Sequence, residues 1–219
     1  MNNKKPIMFD LDGTLFQVHL ISLPAMRQGF ETLRERGLWP EVPDDEKIKG
    51  VYGMTDKEIW DYLLPGAEPE VKKLAREIIE DNELRNIDLD AGKLFDGAAE
   101  TLATLAAGGH QLFVVSNGGE DYVKSVCRHH GLAPYLTGIY SAGEYKTETK
   151  VQLLAAAVRE HKLSPGWMVG DRDSDITAAR GNGFVPVACT YGYGSPEEHS
   201  DAAYIIENIS EILTIVEGS

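Results

Sequence analysis

The sequence predicts an α/β protein in which a parallel sheet, covered by helices on both faces, is interrupted by an inserted all-helical segment. The first observation is a short apolar run near the N-terminus that is followed by a long interval of helical periodicity only. The second is that short apolar runs alternate with helical patterns through the rest of the chain. We therefore predict a core domain formed by residues 1–18 and 92–219 and a helical domain formed by residues 19–91.

The first predicted strand, Ile7–Phe9, leads directly into two closely spaced carboxylates. Asp10 lies at the carboxyl edge of the predicted sheet, where open α/β sheets bind their ligands. Asp12 follows, and Gly13 allows the backbone to turn sharply. Because two such carboxylates repel each other, a divalent cation would stabilise them and leave one oxygen free to attack an electrophile. A polar turn with no function is the alternative interpretation of these residues alone.

The inserted segment shows signals for helices only. Apolar residues recur at helical spacing after Ser22–Pro24, which predicts a helix with proline in its first turn, and Gly37 ends this pattern. Thr55–Glu58 has the sequence of a capping box. Pro69 predicts the start of a third helix.

The remainder of the chain predicts five further strands separated by helices. The strands are expected at residues 112–115, 138–141, 167–169, 185–189 and 203–206. The helices are expected at residues 98–107, 121–130, 150–161 and 175–180, with a last one from residue 210.

Polar residues follow two of these strands. Ser116 ends the second strand, and its hydroxyl together with the amides of Asn117 and Gly118 would form an anion-binding nest, although a helix N-cap is the alternative role. Asp171 follows the fourth strand, and the next two residues, Arg172 and Asp173, are expected to form a solvated local pair. Asp175 is expected to open the next helix and to support the site through water or a lysine, or only to complement the helix dipole.

An anionic phosphate would need local positive charge from a metal and a lysine, and three lysines between the second and fourth strands are candidates for this role. Lys124 lies within a predicted helix and is expected to be solvated. Lys146 and Lys150 flank a short polar stretch, and Lys150 begins a helix, where the dipole slightly disfavours a cation. A lysine at a position where the helix dipole disfavours a positive charge suggests a functional role. We therefore assign phosphate binding to Lys150, with Lys146 as the alternative.

The segments Asp10–Leu15, Val114–Gly118 and Val169–Asp175, taken in this order, resemble the motifs of the haloacid dehalogenase-like hydrolases. The segment Thr190–Ser195 resembles the phosphoglycolate phosphatase-like subgroup, as does the helix that begins with the chosen lysine. The resemblance covers nearly the whole chain and implies a Rossmann-like core with a helical cap. Two departures are Gln17, where many relatives carry an aspartate, and the absence of the common Lys-Pro-x-Pro sequence.

The resemblance implies a magnesium-dependent phosphatase that acts on a small-molecule phosphomonoester. Asp10 would be the nucleophile and form an aspartyl-phosphate, and Asp12 would be the general acid and base. Magnesium would be held by Asp10, Asp171 and the backbone carbonyl of Asp12. The phosphoryl oxygens would be bound by Ser116, Asn117, Gly118 and Lys150.

The identity of the substrate stays open among phosphoglycolate, a sugar phosphate, a nucleotide and pyrophosphate. A phosphomutase on the same scaffold is the alternative function, and a non-catalytic phosphate-binding protein is a third hypothesis. The presence of both Asp10 and Asp12 disfavours the latter. Dehalogenation is disfavoured because that chemistry does not need the metal site to which Asp12 contributes.

Composition limits the partners that we expect. The net charge of −14 argues against general binding to nucleic acids or to anionic membranes, which need a basic surface. The two cysteines, Cys127 and Cys189, show no metal or redox spacing, and no leader-like apolar segment is present. We therefore expect a cytoplasmic protein with reduced thiols, present as a monomer or homodimer.

Overall fold

Three fully buried apolar residues, Ile7, Met8 and Phe9, form the central strand of a parallel sheet in the computed structural model, which describes residues 4–218. The six strands are β1 (Ile7–Phe9), β2 (Leu112–Ser116), β3 (Gly138–Ser141), β4 (Trp167–Gly170), β5 (Val185–Cys189) and β6 (Tyr204–Ile206). Their order across the sheet is β3-β2-β1-β4-β5-β6, and every neighbouring pair is parallel. The predicted α/β fold with a parallel sheet is thereby confirmed.

Ten α-helices accompany the sheet within the described residues. They are α1 (His19–Glu35), α2 (Asp45–Lys49), α3 (Asp56–Leu63), α4 (Pro69–Asp88), α5 (Ala98–Ala107), α6 (Glu120–His129), α7 (Ala142–Tyr145), α8 (Lys150–His161), α9 (Asp173–Gly181) and α10 (Ile212–Glu217). Two 3₁₀ turns are formed by Ala133–Tyr135 and Ile209–Glu211.

Strand β1 pairs on both sides at the same register. Ile7 lies opposite Leu112 of β2 and opposite Trp167 of β4. The chain therefore builds β2 and β3 on one side of β1 and β4 to β6 on the other. Such a reversal of strand order opens a crevice at the carboxyl ends of the strands. The residues that follow β1, β2 and β4 consequently meet at one edge.

Both faces of the sheet are covered by apolar side chains, as a parallel sheet requires. Met8, Phe113 and Met168 pack on one face with residues of α8 and α9, among them Leu154 and Ala178. On each strand, the residues before and after these three point to the other face. There they join the larger cluster, which includes Ile7, Phe9, Val114, Val169, Leu102 of α5, Val126 of α6 and Ile212 of α10. These two layers hold the strand ends in fixed positions.

Helices α1 to α4 form a separate layer between residues 19 and 88. α1 packs closely against α4, and a Cβ atom at Gly29 would overlap the side chain of Ile79. Phe30 and Leu33 of α1 are fully buried, and Trp60 of α3 is nearly so. No strand occurs in this segment, as the sequence predicts.

The chain enters and leaves the helical layer through two adjacent connections. Phe16 forms an antiparallel bridge with Leu94, and the backbone N–H of Gln17 donates to the carbonyl of Lys93 at 2.9 Å. The side-chain amide of Gln17 donates to the Leu94 carbonyl, also at 2.9 Å. Gln17, the residue that departs from the family pattern, therefore ties these two connections together.

Several predicted helix boundaries are wrong. α1 begins at His19, so Pro24 lies inside the helix and not in its first turn. The proline ring removes one helical hydrogen bond, and the packing of α1 against α4 compensates for this loss. α9 begins two residues before Asp175, because that carboxylate accepts the N–H of Arg172 at 3.0 Å and thereby caps the helix. The short helices α2 and α7 were not predicted, since four or five residues carry too little periodicity.

Cys127 in α6 and Cys189 in β5 are both buried and free. None of the helices between residues 4 and 218 combines the length and the apolar character needed to span a bilayer.

Candidate functional site

The carboxyl ends of β1, β2 and β4 bring together the residues that the sequence singles out. Asp10 follows β1, Ser116 ends β2, and Asp171 follows β4. All three are almost completely buried, with 1%, 2% and 0% of their surface exposed. Lys150 joins them from the first turn of α8, and it is also buried. Buried polar side chains at this density require mutual contacts or a ligand.

The turn after β1 holds Asp12 beside the sheet edge. The carbonyl of Leu11 accepts from the backbone N–H groups of Leu15 at 2.9 Å and of Phe16 at 2.8 Å. Gly13 has φ = +92°, and a Cβ atom at this position would overlap the carboxylate of Asp171. Only glycine therefore permits this turn to pass so close to the neighbouring carboxylate.

Lys150 forms two buried ion pairs. Its Nζ donates to Oδ1 of Asp10 at 2.7 Å and to Oδ1 of Asp175 at 2.6 Å. Burial alone lowers the pKa of Lys150, but the two carboxylates outweigh burial, and the net pKa is raised. Lys150 is therefore a permanent cation beside Asp10.

The two other candidate lysines lie elsewhere. Lys146 is exposed at the end of α7, where it adopts a left-handed backbone conformation with φ = 54°. Lys124 pairs with Glu120 at 2.8 Å and with Glu144 at 2.9 Å. The geometry thus brings Lys150 to the carboxylates, and neither alternative makes such a contact.

Asp171 is enclosed by the loop that follows β5. Its Oδ2 accepts the backbone N–H of Tyr193 at 2.7 Å, and its carbonyl lies 2.7 Å from Nε2 of His199. Side chains at Gly192 or Gly194 would overlap Asp171, so both glycines are needed for this close approach. The segment Thr190–Ser195, noted in the sequence, therefore holds Asp171 in place.

The carboxylates satisfy the requirements of a divalent cation site. Oδ2 of Asp10 and Oδ1 of Asp171 are buried and have no hydrogen-bond partner among residues 4–218. These two residues form with Asp175 a group close enough to share one ion. Burial raises the pKa values of both Asp10 and Asp171. Asp175 contributes less, because its Oδ1 accepts from Lys150 and its Oδ2 accepts from the N–H of Arg172. Two hard oxygen donors thus remain available, as magnesium prefers.

Asp12 has a different environment. Its side chain is half-buried, and the hydroxyl of Tyr122 donates to its Oδ1 at 2.6 Å. Burial raises the pKa of Asp12 to about 7, although the hydrogen bond from Tyr122 acts in the opposite direction. A carboxyl group with this pKa exchanges a proton readily near neutral pH.

The loop after β2 combines a hydroxyl with successive amides. Oγ of Ser116 accepts the N–H of Gly118 at 3.2 Å. The amide group of Asn117 donates to the carbonyl of Gly53 at 2.9 Å, so this loop also contacts the helical layer. A second contact between the layers joins Arg172 to the carbonyl of Tyr52.

The sheet edge and the helical layer enclose a cavity of about 1200 Å³. On the sheet side it is lined by Asp10, Asp12, Ser116, Asn117, Gly118 and Lys150. On the helical side it is lined by residues of α3, α4 and the Tyr52–Thr55 loop.

Three residues near the site were not found from the sequence or were interpreted wrongly. Tyr122 and His199 carry no signal, because their contacts join residues that are far apart in the chain. Arg172 was expected to form a solvated pair with Asp173, but its Nε donates to Glu198 at 2.8 Å. Adjacent side chains at a helix start do not face each other.

Comparisons with known proteins agree with this fold. A model of the haloacid dehalogenase-like hydrolase family matches residues 7–188. A phosphoglycolate phosphatase from Vibrio vulnificus is 27% identical, with 97% of this chain and 96% of that protein covered. A 5'-nucleotidase from Pseudomonas aeruginosa is 26% identical, with 88% of this chain and 85% of that protein covered. A predicted phosphatase from Clostridium acetobutylicum shares the fold, with a TM-score of 0.84, 22% identity and 99% of both chains covered.

The chain belongs to the haloacid dehalogenase-like hydrolase family. Within that family it is a phosphatase, an enzyme of the phosphoric monoester hydrolase class. The resemblance inferred from the sequence motifs, including the phosphoglycolate phosphatase-like subgroup, is therefore confirmed.

Proposed function

We propose that the chain hydrolyses a small-molecule phosphomonoester, with magnesium, through an aspartyl-phosphate formed on Asp10. The observation that carries this proposal is the arrangement around Asp10. One of its oxygens is held by Lys150. The other is buried beside the unpartnered oxygen of Asp171 and has no partner in the part of the chain that the structure describes. Such a carboxylate is held rigidly. Its unpartnered oxygen is available to magnesium, and the oxygen that Lys150 orients remains to attack phosphorus.

Magnesium would be held by the carboxylates of Asp10 and Asp171 and by the backbone carbonyl of Asp12. When bound, it supplies positive charge that offsets the negative charge of the phosphoryl group. The two unpartnered buried oxygens support this assignment, because buried carboxylate oxygens normally have partners.

In the first step Asp10 attacks phosphorus, and the bond between phosphorus and the ester oxygen breaks. The leaving alkoxide takes a proton from Asp12, so the products are the free alcohol and an aspartyl-phosphate. A pKa of about 7 keeps a substantial fraction of Asp12 protonated for this transfer at neutral pH.

In the second step the Asp12 carboxylate accepts a proton from water, whose oxygen attacks phosphorus. The aspartyl-phosphate bond breaks, inorganic phosphate leaves, and the carboxylate of Asp10 is restored. Asp12 regains its proton, so the cycle closes without any other acid or base. The hydrogen bond from Tyr122 supports this role because it fixes Asp12 in one orientation.

Ser116, Asn117, Gly118 and Lys150 would bind the transferring phosphoryl oxygens. Ser116, Asn117 and Gly118 after β2 line the cavity that Asp10 also lines. Lys150 contributes a fixed positive charge, since Asp175 holds its Nζ independently of any substrate.

We propose further that residues 19–91 form a cap domain over a core of residues 1–18 and 92–219. Two adjacent connections at Phe16 and Leu94 would act as the hinge. Contacts from Asn117 to Gly53 and from Arg172 to Tyr52 would hold the cap closed and exclude bulk water.

A panel of phosphate esters assayed with magnesium for free phosphate tests this function. The panel includes phosphoglycolate, sugar phosphates, nucleotides, pyrophosphate and an aryl phosphate. We expect phosphate release without any activating bisphosphate, together with an acid-stable, hydroxylamine-sensitive phosphoenzyme. Isomerisation of a sugar phosphate that requires a bisphosphate would show the alternative, a phosphomutase. Absence of turnover with every ester would refute the proposal.

A further inference from the structure

The wall of the cavity formed by the helical layer carries several carboxylates. Glu80 and Glu83 of α4 and Asp56 at the start of α3 all line the cavity. Glu83 is half-buried and interacts electrostatically with Asp12 and with Tyr122, so it faces the catalytic end of the cavity. A leaving group bound next to Asp12 would therefore lie near Glu83.

The cations of the same wall are already engaged. Nε of Arg76 donates to Asp56 at 2.7 Å, and the guanidinium makes a second contact with the same carboxylate. The indole N–H of Trp60 also donates to Asp56, at 2.7 Å. Lys57 pairs with Asp61 at 2.8 Å and is largely exposed. On this wall, within the part of the chain that the structure describes, no cavity-lining cation is left to receive an anionic leaving group.

From this charge distribution we infer that the cavity selects phosphate esters whose leaving group is non-acidic and donates hydrogen bonds, such as a polyol, a sugar or a nucleoside, with Glu83 as a specificity-determining residue. The inference rests on the proposed phosphatase function. Carboxylates accept hydrogen bonds from hydroxyl or ammonium groups, whereas a carboxylate on the leaving group meets only paired cations on this wall and is repelled by its carboxylates. The volume of about 1200 Å³ also accommodates such larger leaving groups.

Three esters of similar size and different leaving-group charge test the inference. They are 2-phosphoglycolate, 2-hydroxyethyl phosphate and 2-aminoethyl phosphate, whose leaving groups carry a negative charge, no charge and a positive charge. The assay measures kcat/KM with saturating magnesium at pH 8. This pH ensures that Glu83 is ionised, because burial raises its pKa to about 7.

We expect kcat/KM for the neutral and cationic esters to exceed that for 2-phosphoglycolate by at least about tenfold. Two unit charges roughly 10 Å apart at an effective dielectric constant of about 20 account for a factor of this size. Glu83→Gln is expected to raise the ratio of 2-phosphoglycolate to 2-hydroxyethyl phosphate by about tenfold. Comparing this ratio between the variant and the wild-type enzyme cancels intrinsic differences in reactivity between the two esters.

Glu77→Gln is the matched control. Glu77 lies on the same helix, is exposed and pairs only loosely with Lys73, at 3.8 Å. We expect this variant to keep the wild-type ratio, which separates a local effect of Glu83 from a change in the overall charge of α4.

Two results would overturn the inference. One is a kcat/KM for 2-phosphoglycolate equal to or above that of the neutral ester in the wild-type enzyme, as a carboxylate-binding role for exposed Lys146 would produce. The other is an equal change of the ratio in Glu83→Gln and Glu77→Gln. Should Glu83→Gln fail to fold, the ranking of the three esters by the wild-type enzyme decides alone. Absence of phosphate release from all three esters and from an aryl phosphate would instead refute the proposed function itself.

Discussion

Replacement of Asp12 by asparagine separates the two contributions that we propose for this residue. Asp12→Asn retains the backbone carbonyl. In the wild-type protein Tyr122 donates a hydrogen bond to Oδ1 of Asp12 at 2.6 Å, and the side-chain amide oxygen of the variant can accept the same bond. The variant loses only the ability to give and take a proton. Because burial raises the pKa of Asp12 to about 7, both protonation states are populated in the native enzyme at neutral pH.

The expected loss of turnover depends on the leaving group. For an alkyl phosphate, kcat should fall by about 10²–10⁴-fold, the usual contribution of a positioned general acid or base. For an aryl phosphate the first step needs little protonation, so the aspartyl-phosphate should still form. Its hydrolysis still needs a base, and the intermediate should therefore accumulate.

Rapid-quench kinetics with 4-nitrophenyl phosphate measures this accumulation. We expect Asp12→Asn to release a burst of nitrophenol close to one equivalent per site, followed by slow turnover. Magnesium affinity, measured by titration calorimetry, should change little. In the control variant Asp171→Ala, magnesium affinity should fall and all esters should be affected alike. If Asp12→Asn shows no burst and its defect is independent of the leaving group, the proton-transfer role is wrong.

Four further predictions follow from the site. Asp10→Asn should abolish turnover while circular dichroism remains native, because an amide cannot act as the nucleophile; wild-type-like phosphate release would contradict this. A chelator should remove activity and magnesium should restore it, whereas calcium should inhibit, since its flexible coordination allows Asp10 to bind through both oxygens; full activity in chelator would exclude the metal. Tyr122→Phe should lower kcat/KM by about tenfold, the value of one hydrogen bond to a charged group. It should also shift the pH profile of kcat/KM to higher pH, because the lost hydrogen bond had lowered the pKa of Asp12. An unchanged profile would argue against this coupling. Burial raises the pKa of Glu83 from 4.5 to about 7 in the folded state, so between these pH values the native state binds more protons than the unfolded state. The free energy of unfolding should therefore fall as the pH rises from about 4.5 to about 7. Chemical denaturation should show a weaker fall in Glu83→Gln than in the wild-type protein.

The sequence predicts most of the sheet because its strands are short, apolar and bounded by glycine or polar residues. Asp10 and Asp171 directly follow β1 and β4, and Ser116 ends β2, so topology alone brings these three candidate residues to one edge. Boundaries are predicted less well where a side chain changes the cap. α9 illustrates this, since the carboxylate of Asp175 moves the helix start two residues towards the N-terminus.

Contacts between distant segments are not predictable in the same way. Tyr122 and Asp12 are 110 positions apart, and no periodicity relates them. The same is true of Arg172 and Tyr52, which are 120 positions apart. The first contact depends on how α6 packs on the sheet and the second on how the helical layer is oriented on the sheet. Both are set by packing and not by local sequence. The charge of the cavity wall near Glu83 is hidden from the sequence for the same reason.

Asp175 lies at the site although both of its oxygens are engaged by protein groups, and the placement of Lys150 explains its presence. Burial raises the pKa values of Asp10 and Asp171, and the negative charge of Asp175 raises them further, which disfavours their ionised forms. The same carboxylate holds Nζ of Lys150 at 2.6 Å and caps α9 through the N–H of Arg172. Lys150 is therefore fixed beside Asp10 before any substrate binds. On the proposed mechanism, the positive charge needs no reorganisation when charge develops on the phosphoryl oxygens, which is the condition under which fixed charges accelerate a reaction most.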